Sequence, residues 1–362
     1  MKTINQFIFN FNWLLIVVIV LLTGCRKDPE IEVKQNVVAD CGCGFVCEDF
    51  PKSDSWLGYT TFSTGTQYLS PKFNPTNDNE FVYLRVDENW NNAELVKVDL
   101  TDMSEIVLLN THYFSAEPIW NNDHWIVFSG INSQVWKMKD NGSDLTQLTF
   151  GNGAQNPYFN TDGSVIYYAR SISYSNYELE ANPELYKKSK IIGINLNGEP
   201  VDSILAPDIR NKPEGPFLYQ KWLQADFSDH NVYFSWGLED NFGIYCLDML
   251  SNEIFTIDEW SRGIDNSSFV ENVKYHDNFV YVSKFRNDLL KIDVNTGEHT
   301  RIQCGCDANY YNTLSISPDG DKMLVERIIS TVLSEDEIDE QHEIWMMDLD
   351  GSNAVKILGD PE

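Results

Sequence analysis

From about residue 68 onward the apolar residues fall into short β-rich runs, broken every few positions by Gly, Asn and Asp. Neither the spacing of long amphipathic helices nor a βαβ alternation is present, so the pattern predicts strands joined by turns. Aligned against itself, the chain shows a repeating unit: an aromatic or apolar anchor, a polar turn, a strand, a second strand ending near Asp, another turn and a short closing strand. The unit opens as Phe73-Asn74-Pro75, Trp120-Asn121-Asn122-Asp123, Phe159-Asn160-Thr161-Asp162-Gly163, Phe227-Ser228-Asp229, Tyr275-His276-Asp277 and Ile316-Ser317-Pro318-Asp319-Gly320. Its later half recurs in step at 95–99, 135–142, 191–198, 244–248, 289–297 and 344–351. Asn-Gly and Asp-Gly suit tight hairpins because both central residues must accept positive φ.

The six anchors are separated by 47, 39, 68, 48 and 41 residues, close to the spacing of propeller blades. Radial packing buries both faces of each sheet and leaves only short edges. The expected fold is therefore all-β, a six-bladed β-propeller of four-stranded antiparallel blades. The Ser317-Pro318-Asp319-Gly320 turn and the Ile344-Trp345-Met346-Met347-Asp348 strand with its Asp350-Gly351 turn resemble the TolB-like (WD40-like) propeller repeat. The resemblance covers roughly residues 68–358, and blades four and five lack the Pro-Asp-Gly turn. The 43 positions from Cys25 to Gln67 are too few for the separate α/β domain that TolB proper carries. The family resemblance implies a binding platform or an enzyme scaffold, and fold alone does not choose between them.

Ahead of the repeats, Lys2 is followed by an apolar run from Trp13 to Leu22 and then by Thr23, Gly24 and Cys25. That is the layout of a signal peptide, and the run is about half the twenty residues a spanning helix needs. Leu22-Thr23-Gly24-Cys25 resembles the bacterial lipobox, which implies cleavage before Cys25 and lipidation of its sulfur. The expected organisation is a signal peptide at 1–24, a lipidated, Cys-rich tether at 25–67, and a propeller at 68–362. The expected address is the outer membrane of a Gram-negative bacterium, with the side it faces left open.

Export makes disulfides permissible. Cys41, Cys43 and Cys47 cluster near the start, Cys304 and Cys306 near the end, and Cys246 stands alone in an expected strand. At least one bridge between the two Cys-Gly-Cys groups is expected; it would close a loop of roughly 260 residues, worth roughly 5 kcal/mol in the chain-entropy model. A metal site is disfavoured, because zinc pairs usually leave two to four residues between cysteines and here one intervenes. No metal and no cofactor is expected.

With 55 acidic against 26 basic side chains the net charge is -29, which repels phosphate and excludes a nucleic-acid partner. In a propeller the loops after the second and fourth strands share one face, and nearly all extra length falls there: Ser171 to Lys190, Ser330 to His342 and Pro200 to Phe217. The same face collects Trp90, Tyr174, Tyr177, Trp236, Phe285 and Arg286, the candidate binding residues, since aromatics on loops held by a rigid scaffold offer large contact area. The acidic run Glu335 to Glu340 is expected to be a solvated loop. His124, His230 and His276 share one turn slot in three blades and are read as turn residues. No nucleophile elbow, metalloprotease pair or phosphate loop is found. The function expected is a lipid-anchored binding or scaffold module for an envelope protein or glycan. The alternative is a carbohydrate-active enzyme, a lyase or glycosidase, working at the channel mouth; two or three carboxylates deep in the channel would favour it.

Overall fold

The computed structural model describes residues 60–111, 117–130, 133–150, 153–170, 190–205, 225–238, 241–251, 253–261, 270–284, 288–306, 309–334 and 337–359. They form 25 strands, and no helix long and apolar enough to cross a membrane occurs among them. After a short strand β1 (Thr60–Phe62), blade one comprises β2 (Gln67–Asn74), β3 (Asn77–Val86), β4 (Ala93–Asp99) and β5 (Ser104–Thr111). Blade two is β6 (Ile119–Trp120), β7 (Trp125–Gly130), β8 (Gln134–Lys139) and β9 (Thr146–Gln147). Blade three is β10 (Ala154–Phe159), β11 (Val165–Arg170), β12 (Lys190–Asn195) and β13 (Pro200–Leu205). Blade four follows as β14 (Ala225–Ser228), β15 (Asn231–Leu238), β16 (Asn241–Asp248) and β17 (Glu253–Ser261). Blade five is β18 (Val270–His276), β19 (Phe279–Lys284), β20 (Leu289–Asp293) and β21 (His299–Gln303). Blade six is β22 (Asn309–Ile316), β23 (Lys322–Ser334), β24 (Glu337–Asp348) and β25 (Val355–Leu358). The first strand of each blade packs against that of the next, and β22 returns to β2, closing the ring.

The period-two alternation of a strand explains why the central strands read as continuous apolar runs. On β3, Phe81 and Tyr83 face Leu324 and Ile344 of blade six, whereas Val82 and Leu84 face Trp120, Ile126 and Phe128 of blade two. Both faces of the sheet are thus core, as the wedge shape requires. The Asp that ends the third strand is a turn cap: Asp248 Oδ1 accepts the Leu250 N–H at 2.8 Å, and Asp293 Oδ1 accepts those of Asn295 and Thr296 at 2.8 and 3.0 Å. These hydrogen bonds hold both carboxyls below their ordinary range. The turn it caps abuts the neighbouring blade; in blade three Gly198, at φ +80°, lies so close to Leu148 of blade two that a Cβ would sit 2.7 Å from the carbonyl oxygen.

Each blade takes its four strands from consecutive sequence, and polar contacts join the apolar packing at the seam between blades six and one. The Phe73 N–H donates to Ser315 Oγ at 3.0 Å, and the Ser70 N–H donates to Glu326 Oε2 at 2.9 Å. Strand β1 adds a fifth member to blade six, pairing parallel with β24 from Thr60 opposite Glu337 to Phe62 opposite Asp339. Beyond it the Thr64 N–H and Oγ1 both donate to the Asp339 carboxylate, at 2.8 and 2.7 Å.

One expectation is corrected here. The segment Ser330 to His342 is not a loop: β23 and β24 continue as a ladder from Lys322 opposite Asp348 to Ser334 opposite Glu337. The β-branched run through Ile328, Ile329, Thr331 and Val332 carries the strand outward. Likewise Glu337 to Glu340 is strand rather than solvated loop, with Ile338 fully buried between its acidic neighbours.

Candidate functional site

Three positions before the anchors, Ser70, Glu117 and Asn156 each precede a proline, and Asn272 and Thr313 occupy the same offset in blades five and six. One position before the anchors stand Lys72, Asp226, Lys274 and Ser315. At the Ser70, Asn156 and Thr313 offset the first strand bulges, between Leu69 and Lys72, Gln155 and Tyr158, and Tyr311 and Leu314. A bulge re-aims its side chains, and side chains of these two rows meet across the ring.

There Lys72 Nζ of blade one lies 2.6 Å from Glu117 Oε2 of blade two and donates to the Leu314 carbonyl of blade six at 3.1 Å. Asn272 Nδ2 of blade five donates to Glu117 Oε1 at 2.7 Å. Lys274 stands 3.8 Å from Asp226 of blade four and 5.7 Å from the Tyr158 ring centroid of blade three. Every blade therefore contributes to one polar plug. Burial pushes the Lys72 ammonium below its ordinary range, with Glu117 opposing that shift.

At the closure between blades six and one, Glu326 is fully buried. Its carboxylate accepts the Ser70 N–H, Thr313 Oγ1 at 2.8 Å and Asn312 Nδ2 at 3.0 Å, and Oε1 lies 2.7 Å from His342 Nδ1. Burial works to raise its pKa, but His342 and the surrounding donors outweigh that and leave it below the ordinary range. The corresponding residues of blades two and five are Ser129 and Ser283, of which Ser283 Oγ donates to the Asn312 carbonyl and so, like Glu326, reaches the next blade. His342 is fixed by its own N–H, which donates to Gln67 Oε1 at 2.9 Å.

Trp90 stands edge-on to the His342 ring, with centroids 5.9 Å apart and planes at 79°. It is 50% exposed, on the loop between β3 and β4. Its backbone is left-handed, at φ 55°, and its N–H donates to the Asp87 carbonyl at 2.9 Å. The Asp87 carboxylate accepts Asn92 Nδ2 at 2.6 Å and the Asn91 N–H at 2.9 Å, which holds its pKa below the ordinary range and the loop in one shape.

Of the other expected binding residues, Tyr174, Tyr177, Phe285 and Arg286 lie outside the described residues. The Trp236 backbone pairs with Gly243 in β15 and β16; its side chain is outside the described set. Cys25, Cys41, Cys43 and Cys47 are also outside it. Of the three described cysteines only Cys246 is a free thiol; burial first, then Asp248, push it up to about 11. Among the histidines, His124 Nδ1 lies 2.7 Å from Asp140 Oδ2 at the surface, and the His276 ring sits against Gly320 of the next blade. Among the described residues no cluster of three His, Cys, Asp or Glu is arranged to hold a metal ion.

No protein-family model matches the chain, and no curated protein does. Solved structures match in shape. A putative TolB from Agrobacterium tumefaciens aligns over 72% of this chain and 86% of its own, with TM-score 0.51 and 14% identity. The β-propeller domain of the Trilobed protease from Pyrococcus furiosus, described as an open velcro topology, aligns over 82% of this chain and all of its own, with TM-score 0.52 and 10% identity. The gluconolactonase XC5397 from Xanthomonas campestris aligns over 73% of this chain and 84% of its own, with TM-score 0.50 and 12% identity. The fold is that of a TolB-like six-bladed propeller.

Proposed function

We propose that this chain is a lipid-anchored envelope propeller that binds a protein or glycan through its loop face, around Trp90. The observation that carries the reading is a half-exposed indole on a braced loop, set against a histidine that is itself fixed from behind. Rigid aromatic anchors bind at low entropic cost. The channel supports binding over the glycosidase alternative: Glu117 and Asp226 are each paired with a lysine, so neither is a free carboxylate facing a cleft.

The proposed address is the outer membrane, through a lipid on Cys25. Cys304 and Cys306 are proposed to bridge to two of Cys41, Cys43 and Cys47, which agrees with Cys246 being the free thiol among those described. Such bridges would hold the tether at the loop face, since Cys304 and Cys306 lie between β21 and β22.

The test is an affinity capture from envelope extract using the full chain in detergent, comparing wild type with a Trp90→Ala, Tyr174→Ala, Trp236→Ala variant. Loss of the captured species in the variant supports the reading; identical recovery from both overturns the binding face. Membrane release of a Cys25→Ser chain tests the anchor.

A further inference from the structure

We propose that Trp90 and His342 form a subsite for a neutral saccharide, a deepening of the binding role above that rests on it. The argument starts from Glu326. Its two buried oxygens meet the Ser70 N–H, Thr313 Oγ1, Asn312 Nδ2 and His342 Nδ1, so the anionic carboxylate is an acceptor throughout. The imidazole therefore donates from Nδ1, and Nε2 is left on the opposite edge of the ring, an acceptor when the ring is neutral and a donor when it is protonated. Nε2 has no hydrogen-bond partner among the described residues, and it is not one of the fully enclosed unpaired atoms found elsewhere in the chain. A fixed polar ring edge on a buried histidine therefore lies beside an exposed indole.

The neighbourhood decides which ligand fits. An anion would have to enter the field of a chain with net charge -29. A bare cation would find the indole face, but the Glu326 oxygens behind His342 are already taken up by their donors. A wholly apolar ligand would cover Nε2 without giving it a hydrogen bond, at a cost in free energy. What satisfies both groups is a ligand with hydroxyls, which donate and accept, and an apolar C–H face, which is a pyranose: its ring stacks on Trp90 while a hydroxyl pairs with His342 Nε2. The left-handed backbone of Trp90 fits the same role. An aromatic residue at φ 55° is strained, and the Asp87 cap holds the strain to keep the indole in place.

The experiment is binding of the detergent-solubilised full chain to a panel of neutral hexose and N-acetylhexosamine oligosaccharides, read by calorimetry. Variants are Trp90→Ala, Trp90→Phe and His342→Phe, the last keeping a ring beside Trp90 while removing the polar edge. Expected is an affinity loss of at least tenfold in Trp90→Ala and His342→Phe, with Trp90→Phe retaining most binding. Because His342→Phe disturbs a buried site, Trp90→Ala at the surface decides the matter if the former does not fold. Binding that is equal in wild type and Trp90→Ala overturns the subsite. No binding to any sugar of the panel overturns the saccharide proposal; in that case a protein captured by wild type and lost in Trp90→Ala leaves the broader reading standing, and failure of both assays overturns both.

Discussion

Asn272 of blade five donates its Nδ2 hydrogen to Glu117 of blade two at 2.7 Å, and these two blades stand opposite each other in the ring. The contact spans the ring through side chains, and Glu117 is its hub because it also meets Lys72. Removing the hub leaves the Lys72 charge buried without its counter-ion. Glu117→Ala is therefore expected to destabilise the fold by about 3–5 kcal/mol, seen as a lowered urea midpoint. The double variant Lys72→Met, Glu117→Leu should lose markedly less than Glu117→Ala, because burying no charge is often as good as burying a pair. Equal losses would mean the plug acts through packing and not charge.

The blade seams make a second expectation. Gly198 combines φ +80° with a Cβ position 2.7 Å from the Leu148 carbonyl oxygen, whereas Gly297, at φ +70°, would place its Cβ 3.0 Å from that of Ile257. Left-handed strain acts on both, but the clash with an immovable backbone atom is worse at the first. Gly198→Ala should cost about 2–4 kcal/mol and Gly297→Ala about half as much, with the order read directly from thermal midpoints.

The sequence pattern revealed the blades because their determinants are local: an apolar run of period two and a capped turn leave their signature within ten residues. The channel was illegible for the opposite reason. Ser70, Glu117, Asn156, Asn272 and Thr313 share an offset from the anchors but not a chemistry, and only the ring brings Glu117 within reach of Asn272. The proline after Ser70, Glu117 and Asn156 was the one signal that could have marked the row. Trp90 was legible as a loop aromatic, yet His342 was hidden in what read as a loop, because acidic residues 335–340 masked a strand whose Ile338 is buried. Glu326 lies within an apolar run that carries no sign of its place at the ring closure.

Acid should act on this architecture at two levels. Glu326 and the turn aspartates Asp99, Asp248, Asp293 and Asp348 all have folded-state pKa values below their ordinary ones. A depressed carboxylate contributes stability that is present above its unfolded value, near 4 for these residues, and that is lost as pH falls through the folded value. The denaturant midpoint should therefore hold from pH 7 to about 5 and fall steeply below about 4. Glu326→Gln should lower the plateau and flatten part of the fall, because its share of the proton uptake is gone. A midpoint that rises on acidification would contradict the sign of these shifts.

Thiol counting tests the proposed bridges. With Cys25 lipidated, six cysteines remain, and Cys246 is free, so five share the bridges and one must stay unpaired. If Cys304 and Cys306 each take a partner from Cys41, Cys43 and Cys47, the denatured, unreduced chain should bind two equivalents of maleimide, and the reduced chain six. In the native state Cys246 should react slowly at pH 7, since its pKa is pushed up to about 11 and it is partly buried against Tyr233. Mass mapping of the labelled peptides would place the second free thiol within residues 41–47. Four or more equivalents before reduction would remove at least one bridge, and with it the argument that the tether is stapled to the loop face.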